Sequence, residues 1–141
     1  MLEGVTDDRT NRTRLATLHE QLLGVHTALL ATERAGYERT HGVAPTPGEL
    51  LQLLIRDDGF AWLRSVSELA ARTGELLGKK VIPEADLSAI VRAADELLTP
   101  HEVGAGFAKK YFDALQSSPD VAMAHAGARL AIAAFSSQSP G

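Results

Sequence analysis

The chain has 141 residues with 0 cysteines, 14 basic and 18 acidic residues, and a formal net charge of -4. A chain of this length is expected to form one domain and to bury a core without covalent cross-links. The lack of cysteine excludes a disulfide framework, a thiolate zinc site and a cysteine nucleophile. The acidic balance provides no positive field for nucleic acid, so we expect no nucleic-acid partner.

The sequence shows neither a secretory signal nor a membrane helix. Asp7 and Asp8 come before any apolar stretch, which is not typical of a signal peptide. The most apolar region, residues 121–135, is interrupted by His125 and Arg129, whereas a membrane helix needs about 20 apolar residues in a row. We therefore expect a cytoplasmic protein with no membrane partner.

The first predicted element is a long helix over residues 10–41, preceded by a flexible N-terminus over residues 1–9. Its apolar residues alternate steps of three and four, the pattern of a helix packed against neighbours. They are Leu15, Leu18, Leu22, Val25 and Leu29. Gly42 follows, and glycine readily takes the left-handed conformation in which many helices end. We expect this helix to span the whole domain.

A second, short helix is predicted to begin at Pro47 and to end near Arg56. Thr46 is the expected cap, and Glu49 completes a capping box with it. The helix is apolar nearly all round, which predicts that it is well buried. Asp57 is then expected to cap a third helix that runs to Leu77. Its charged side is predicted to face solvent and consists of Arg64, Glu68, Arg72, Glu75 and Lys79.

The remaining pattern predicts three more helices. A fourth covers residues 83–98, and Thr99 then repeats the start signal seen at Thr46. Glycines weaken the next turn, so a fifth helix is expected to settle over residues 106–117. A sixth, opened by Ser118, runs to about Phe135, and residues 136–141 form a disordered tail.

No run alternates with period two, so no strand is predicted. The predicted fold class is all-α. We expect an up-and-down helical bundle of four principal helices plus one or two short helices, formed by residues 10–135.

The most specific candidate site is a polar stripe on the first helix, beside its leucines. It consists of His19, Leu23, His26, Leu30, Glu33 and Tyr37. His125, on an apolar row of the last helix, is the partner expected from elsewhere in the chain. These side chains are candidates for binding a small molecule, a metal or a haem-type ligand inside the bundle. The alternative is that they satisfy one another by hydrogen bonds at the edge of the core.

The spacing of these residues restricts the metal hypothesis. Residues seven apart on a helix are separated by about 10.5 Å, so His19 and His26 cannot share one metal ion. Glu38 and His41 match one Glu-x-x-His step, but a diiron bundle needs two such steps and two further carboxylates. The sequence therefore identifies neither a metal nor a cofactor.

No catalytic set is visible in the sequence. It contains no Gly-x-Ser-x-Gly motif, and a Gly-x-Gly before Lys109 has no preceding strand, as a phosphate-binding loop would require. General acid–base chemistry by Glu33 and His26 would need a pocket that a sequence cannot show. The sequence therefore favours a non-enzymatic function and leaves an acid–base enzyme as a third hypothesis.

An aromatic run at the start of the third helix is the candidate interaction surface. Phe60, Trp62 and Arg64 combine aromatic bulk with a guanidinium, as binding hot spots often do, although core packing is the commoner use of such residues. The run resembles an FAWLR-type motif of small all-helical bacterial proteins of uncharacterised function. The resemblance extends through Tyr37 and over residues 107–111, and it implies an all-helical fold without implying an activity.

The first functional hypothesis is a cytoplasmic bundle that acts by binding a protein partner or itself, most simply as a homodimer. The second is binding of a small ligand through the polar stripe.

Overall fold

The computed structural model describes residues 2–104 and 106–136, which are almost entirely helical and contain no strand. The helices are α1 (Leu2–His41), α2 (Pro47–Arg56), α3 (Asp58–Ala61), α4 (Arg64–Leu77), α5 (Glu84–Leu97), α6 (Phe107–Ser117) and α7 (Pro119–Ser136). The all-α fold class is confirmed. None of the helices in these ranges is long and apolar enough to cross a membrane.

The core is built around α1, which packs against α4 on one side and α7 on the other. The five predicted apolar positions of α1 are all completely buried: Leu15, Leu18, Leu22, Val25 and Leu29. Burying one such side chain contributes roughly 1.5–3 kcal/mol. The Arg12 guanidinium fastens the neighbouring helix end by donating to the carbonyls of Leu77, Lys79 and Lys80.

The predicted start of α1 is wrong, because the helix begins at Leu2 and not at residue 10. Residues 2–9, predicted to be a flexible N-terminus, are therefore helical. No proline interrupts these residues, so nothing in the sequence stops the helix from starting earlier.

α2 has the predicted start but not the predicted burial. The Thr46 hydroxyl accepts from the Glu49 backbone N–H at 3.2 Å, and the Glu49 carboxylate accepts from the Thr46 N–H at 3.1 Å. No residue of α2 is fully buried, and Leu51 and Ile55 are 56% and 54% exposed. Since α2 packs chiefly against the short α3, it has too few neighbours to cover an apolar surface on all sides.

The predicted third helix is broken into α3 and α4 at Trp62 and Leu63. Asp57 is the C-cap of α2, and its carbonyl accepts from the N–H groups of Phe60 and Ala61. The break lets Leu63 enter the core while Trp62 turns toward α1. Beyond the break, the charged side of α4 is exposed as predicted, and its opposite side is buried, including Val66, Leu69 and Leu76.

The second start signal, at Thr99, is also wrong. The Thr99 hydroxyl donates back to the Asp95 carbonyl at 2.6 Å, so it belongs to the end of α5. α6 begins only after Gly106, whose φ of 84° lies in the left-handed region that glycine adopts without steric cost. The predicted bounds of the last two helices hold to within a residue, and residues 137–141 of the predicted tail lie outside the described ranges.

α1 and α7 run antiparallel along a close seam. Asn11 near the start of α1 and Phe135 near the end of α7 line the same groove. Further along, Gln21 lies against Gly127, where an added Cβ would overlap the Gln21 amide. Small residues on α7 thus allow the two helices to approach closely.

Two glycines near the C-terminal end of α1 should respond oppositely to alanine. Gly36 is inside the helix, and a Cβ there would meet only the Arg39 guanidinium at 3.7 Å. Gly36→Ala is expected to stabilise the protein by about 0.5–1 kcal/mol. Gly42 has a φ of 84°, so Gly42→Ala is expected to destabilise it by about 1 kcal/mol.

Urea unfolding of the two variants beside the parent protein measures both effects. The helix-end assignment would be contradicted if Gly42→Ala were as stable as the parent.

Candidate functional site

The polar stripe of α1 does not converge on one site. His19 lies against α4, where a Cβ added to Gly74 would come 3.2 Å from its Nε2. Tyr37, farther along, stacks on His41 with ring centroids 3.9 Å apart and meets the edge of Phe60. Glu33 contacts a third partner, Trp62. These three side chains lie along one edge of α1, but each of them contacts a different neighbour.

Glu33 and Trp62 form the most specific polar contact of the stripe. The indole Nε1–H donates to the Glu33 carboxylate at 3.2 Å. Burial raises the pKa of Glu33, the hydrogen bond from Trp62 and the charge of Lys110 oppose this shift, and Asp57 adds to it. Glu33 makes no ion pair with any residue in the described ranges.

A groove of about 400 Å³ opens beside this contact. It is lined by Thr32, Glu33, Trp62, Lys110, Asp113, Ala114 and Ser117. Three elements contribute: α1, the turn before α4, and α6. The groove thus combines an aromatic wall, hydroxyl groups and charges of both signs, which is a suitable lining for a small polar ligand.

Aromatic rings continue from the groove into the core. Trp62 contacts Phe107 with centroids 5.2 Å apart, and Phe107 stacks on Tyr111 at 5.5 Å. Tyr111 is completely buried, and its hydroxyl lies 2.7 Å from Nδ1 of His125. This row links α1, α6 and α7 and ends on a hydrogen-bonded pair. Burial raises the pKa of Tyr111 above its usual range.

The two central histidines have lowered pKa values. Burial lowers the pKa of His26, which makes no hydrogen bond with another described residue. Burial also lowers the pKa of His125, and the positive charge of Arg129 lowers it further. The joint role of His26 and His125 in ligand binding stays a prediction.

The residues predicted as an interaction surface are largely used inside the protein. Phe60 is only 4% exposed, and Trp62 is partly buried against Glu33. The Arg64 guanidinium donates to the carbonyls of Leu54 and Ile55 at 3.2 and 2.7 Å. Phe60 therefore offers little free surface, whereas Trp62 is only partly buried and Arg64 is exposed. Their role as an interaction surface stays a prediction.

A second groove was not anticipated from the sequence. It has a volume of about 730 Å³ and lies between α5 and α7, with Asn11 of α1 at one end. Arg129 spans it by donating to the Asp95 carboxylate at 2.7 Å. This cross-link depends on which helices become neighbours, so no local pattern predicts it.

Two further observations bear on function. Among the described residues, no group of three or more histidine, aspartate or glutamate side chains is arranged to hold a metal ion. No protein-family model, curated protein or solved structure matches the chain. The function must therefore be argued from the molecule's own surfaces and grooves.

The Tyr111–His125 pair is expected to make stability depend on pH. Because the fold holds the pKa of His125 below its ordinary value of 6.5, the unfolded chain binds protons more readily than the folded one as the pH falls. The free energy of unfolding should therefore decrease between about pH 7 and pH 5. His125→Gln removes this titration and should reduce the decrease.

Urea unfolding at a series of pH values gives the slope for each protein. His101→Gln is the matched control, because His101 is exposed and its replacement should leave the slope unchanged. Equal slopes for the parent and His125→Gln would contradict the assignment.

Proposed function

We propose that the protein acts by self-association, as a homodimer formed through the seam between α1 and α7. The observation that carries this proposal is the composition of the outward side of α7. Every exposed residue between Val121 and Phe135 is apolar. These residues, which we call the outer α7 face, are Ala122, Met123, Ala126, Leu130 and Ala133.

Two large side chains dominate the outer α7 face. Met123 and Leu130 are each 74% exposed, and as residues seven apart they project from the same side of the helix. An exposed helix face with no charged residue is unusual on a soluble monomer and marks an interaction site. Burial against another protein would remove this apolar surface from water.

The edge of α1 that lies beside the outer α7 face supports a dimer contact in which α1 and α7 both take part. Thr17 and Gly24 lie four residues before and three after Gln21, so they share its edge, which faces α7. Met123 and Leu130 likewise lie four residues before and three residues after Gly127, on the α7 side of the seam. The seam thus has large side chains along α7 and small, exposed residues along α1.

A second copy of the chain is the occupant that this surface fits best. In a twofold dimer the large residues of one α7 can lie along the small edge of the partner's α1, and the same contact occurs twice. The outer α7 face brings no like charges together. Two helices about 10 Å wide and roughly 25 Å of shared length offer about 500 Å² per copy, which is below a standard interface and indicates a weak dimer.

The helix contacts support the bundle expected from the sequence. α1 packs against α4 and α7, α4 packs against α5, and α5 packs against α7. We assign these four as the principal helices, with α2, α3 and α6 as three additions at the edge, one more than the sequence predicted. The proposal keeps the expected cytoplasmic location and includes no catalytic step.

Leu130→Lys should weaken the dimer. The substitution keeps a good helix former at an exposed position, so the fold is expected to persist while a charge enters the interface. Sedimentation equilibrium should show a dimerisation constant weakened at least tenfold, which corresponds to about 1.4 kcal/mol.

Val81→Lys is the matched control, because Val81 is a similarly exposed apolar residue, 72% against 74%, away from the seam. It should dimerise like the parent. A parent protein that stays monomeric at high concentration, or a Leu130→Lys variant that dimerises normally, would overturn the proposal. Circular dichroism checks that both variants remain folded.

A further inference from the structure

We propose that the groove beside Glu33 and Trp62 binds a small organic ammonium ion, with Glu33 as its counter-charge and Trp62 as its aromatic wall. The proposal concerns a surface separate from the α1–α7 seam and does not depend on dimerisation. It assigns to this groove a ligand class that the sequence left open between small molecules, metals and haem-type groups.

The first argument is the incomplete compensation of Glu33. Its carboxylate is half-buried, accepts one hydrogen bond from Trp62, and has no ion-pair partner among the described residues. Removing a carboxylate from water is costly unless an opposite charge accompanies it. The raised pKa of Glu33 is consistent with this, since burial outweighs the opposing effect of Lys110. A bound cation would supply the ion pair that Glu33 does not make with any described residue.

The second argument is the aromatic wall. The face of a tryptophan ring attracts cations more strongly than that of other aromatic side chains. Trp62 lines the groove and is held in place at two points, by its hydrogen bond to Glu33 and by Phe107 at 5.2 Å. A fixed indole beside a carboxylate is an arrangement suited to quaternary or alkylated ammonium groups.

The third argument is the balance of the other charges in the groove. Asp113 is paired with Lys109 at 2.8 Å, so its charge is already matched. Lys110 also lines the groove, and its positive charge already acts on Glu33, so it would compete with a bound cation. We therefore expect Lys110 to limit the affinity without preventing binding.

The sequence provides a direct probe of this groove, because Trp62 is the only tryptophan. Titration with choline chloride, against sodium chloride at equal ionic strength, should produce a saturable change in Trp62 fluorescence. Glu33→Gln should weaken choline binding at least tenfold, because the amide can still accept from the indole but carries no charge. Lys110→Gln should strengthen binding severalfold, since it removes the competing cation.

Glu38→Gln is the control variant, because Glu38 is an exposed acid on the same helix, and it should bind choline like the parent. The proposal would be overturned by the absence of a saturable response up to about 10 mM choline, a range that covers weak millimolar binding. Equal binding by Glu33→Gln, or a saturable response to acetate in place of choline, would also overturn it. Repeating the titration on Leu130→Lys separates this site from dimerisation, because the groove should bind equally well in that variant.

Discussion

The complete burial of the apolar row of α1, which runs from Leu15 to Leu29, is the constraint on which the rest of the structure depends. Its five apolar residues, all with no exposure, force α1 to be the central helix. With that side committed to the core, the flanking edges of α1 must face α4 and α7. His19 therefore meets Gly74, and Gln21 meets Gly127. Truncating one of these buried leucines to alanine would cost roughly 2–5 kcal/mol, so this arrangement admits little variation.

Polar groups at the margin of this core are placed by the same constraint. Glu33 lies on α1 one helical turn beyond the buried Leu29. Trp62, at the break between α3 and α4, donates its indole N–H to the Glu33 carboxylate. Tyr111 and His125 pair deeper in the molecule. Buried polar groups must find partners or lose stability, and here a single row of rings connects the two pairs. The groove and the Tyr111–His125 pair are thus parts of one packed unit, while the outer α7 face is independent of it.

Local patterns predicted most of the helices correctly. The structure confirms three of these predictions: the buried apolar row of α1, the capping box at Thr46, and the start of α7 at Ser118. The same kind of pattern failed at Thr99, where the hydroxyl bonds to the preceding helix. It also failed for α2, whose apolar residues lack enough neighbours for burial. A capping sequence makes certain side-chain-to-backbone hydrogen bonds possible, but the packing of the helices determines which of these hydrogen bonds form.

The candidate site separates what local sequence patterns predict from what tertiary packing determines. The sequence by itself determined that the fold is all-α, that α1 carries the core, and that histidine, glutamate and tyrosine side chains lie at the edge of that core. These follow from periodicity, which depends only on residues a few positions apart. The tertiary structure alone decided that Glu33 meets Trp62, that Tyr111 meets His125, and that every exposed residue of α7 between Val121 and Phe135 is apolar. Those outcomes depend on which helices become neighbours and how they are rotated, and contacts between residues far apart in the chain leave no local pattern.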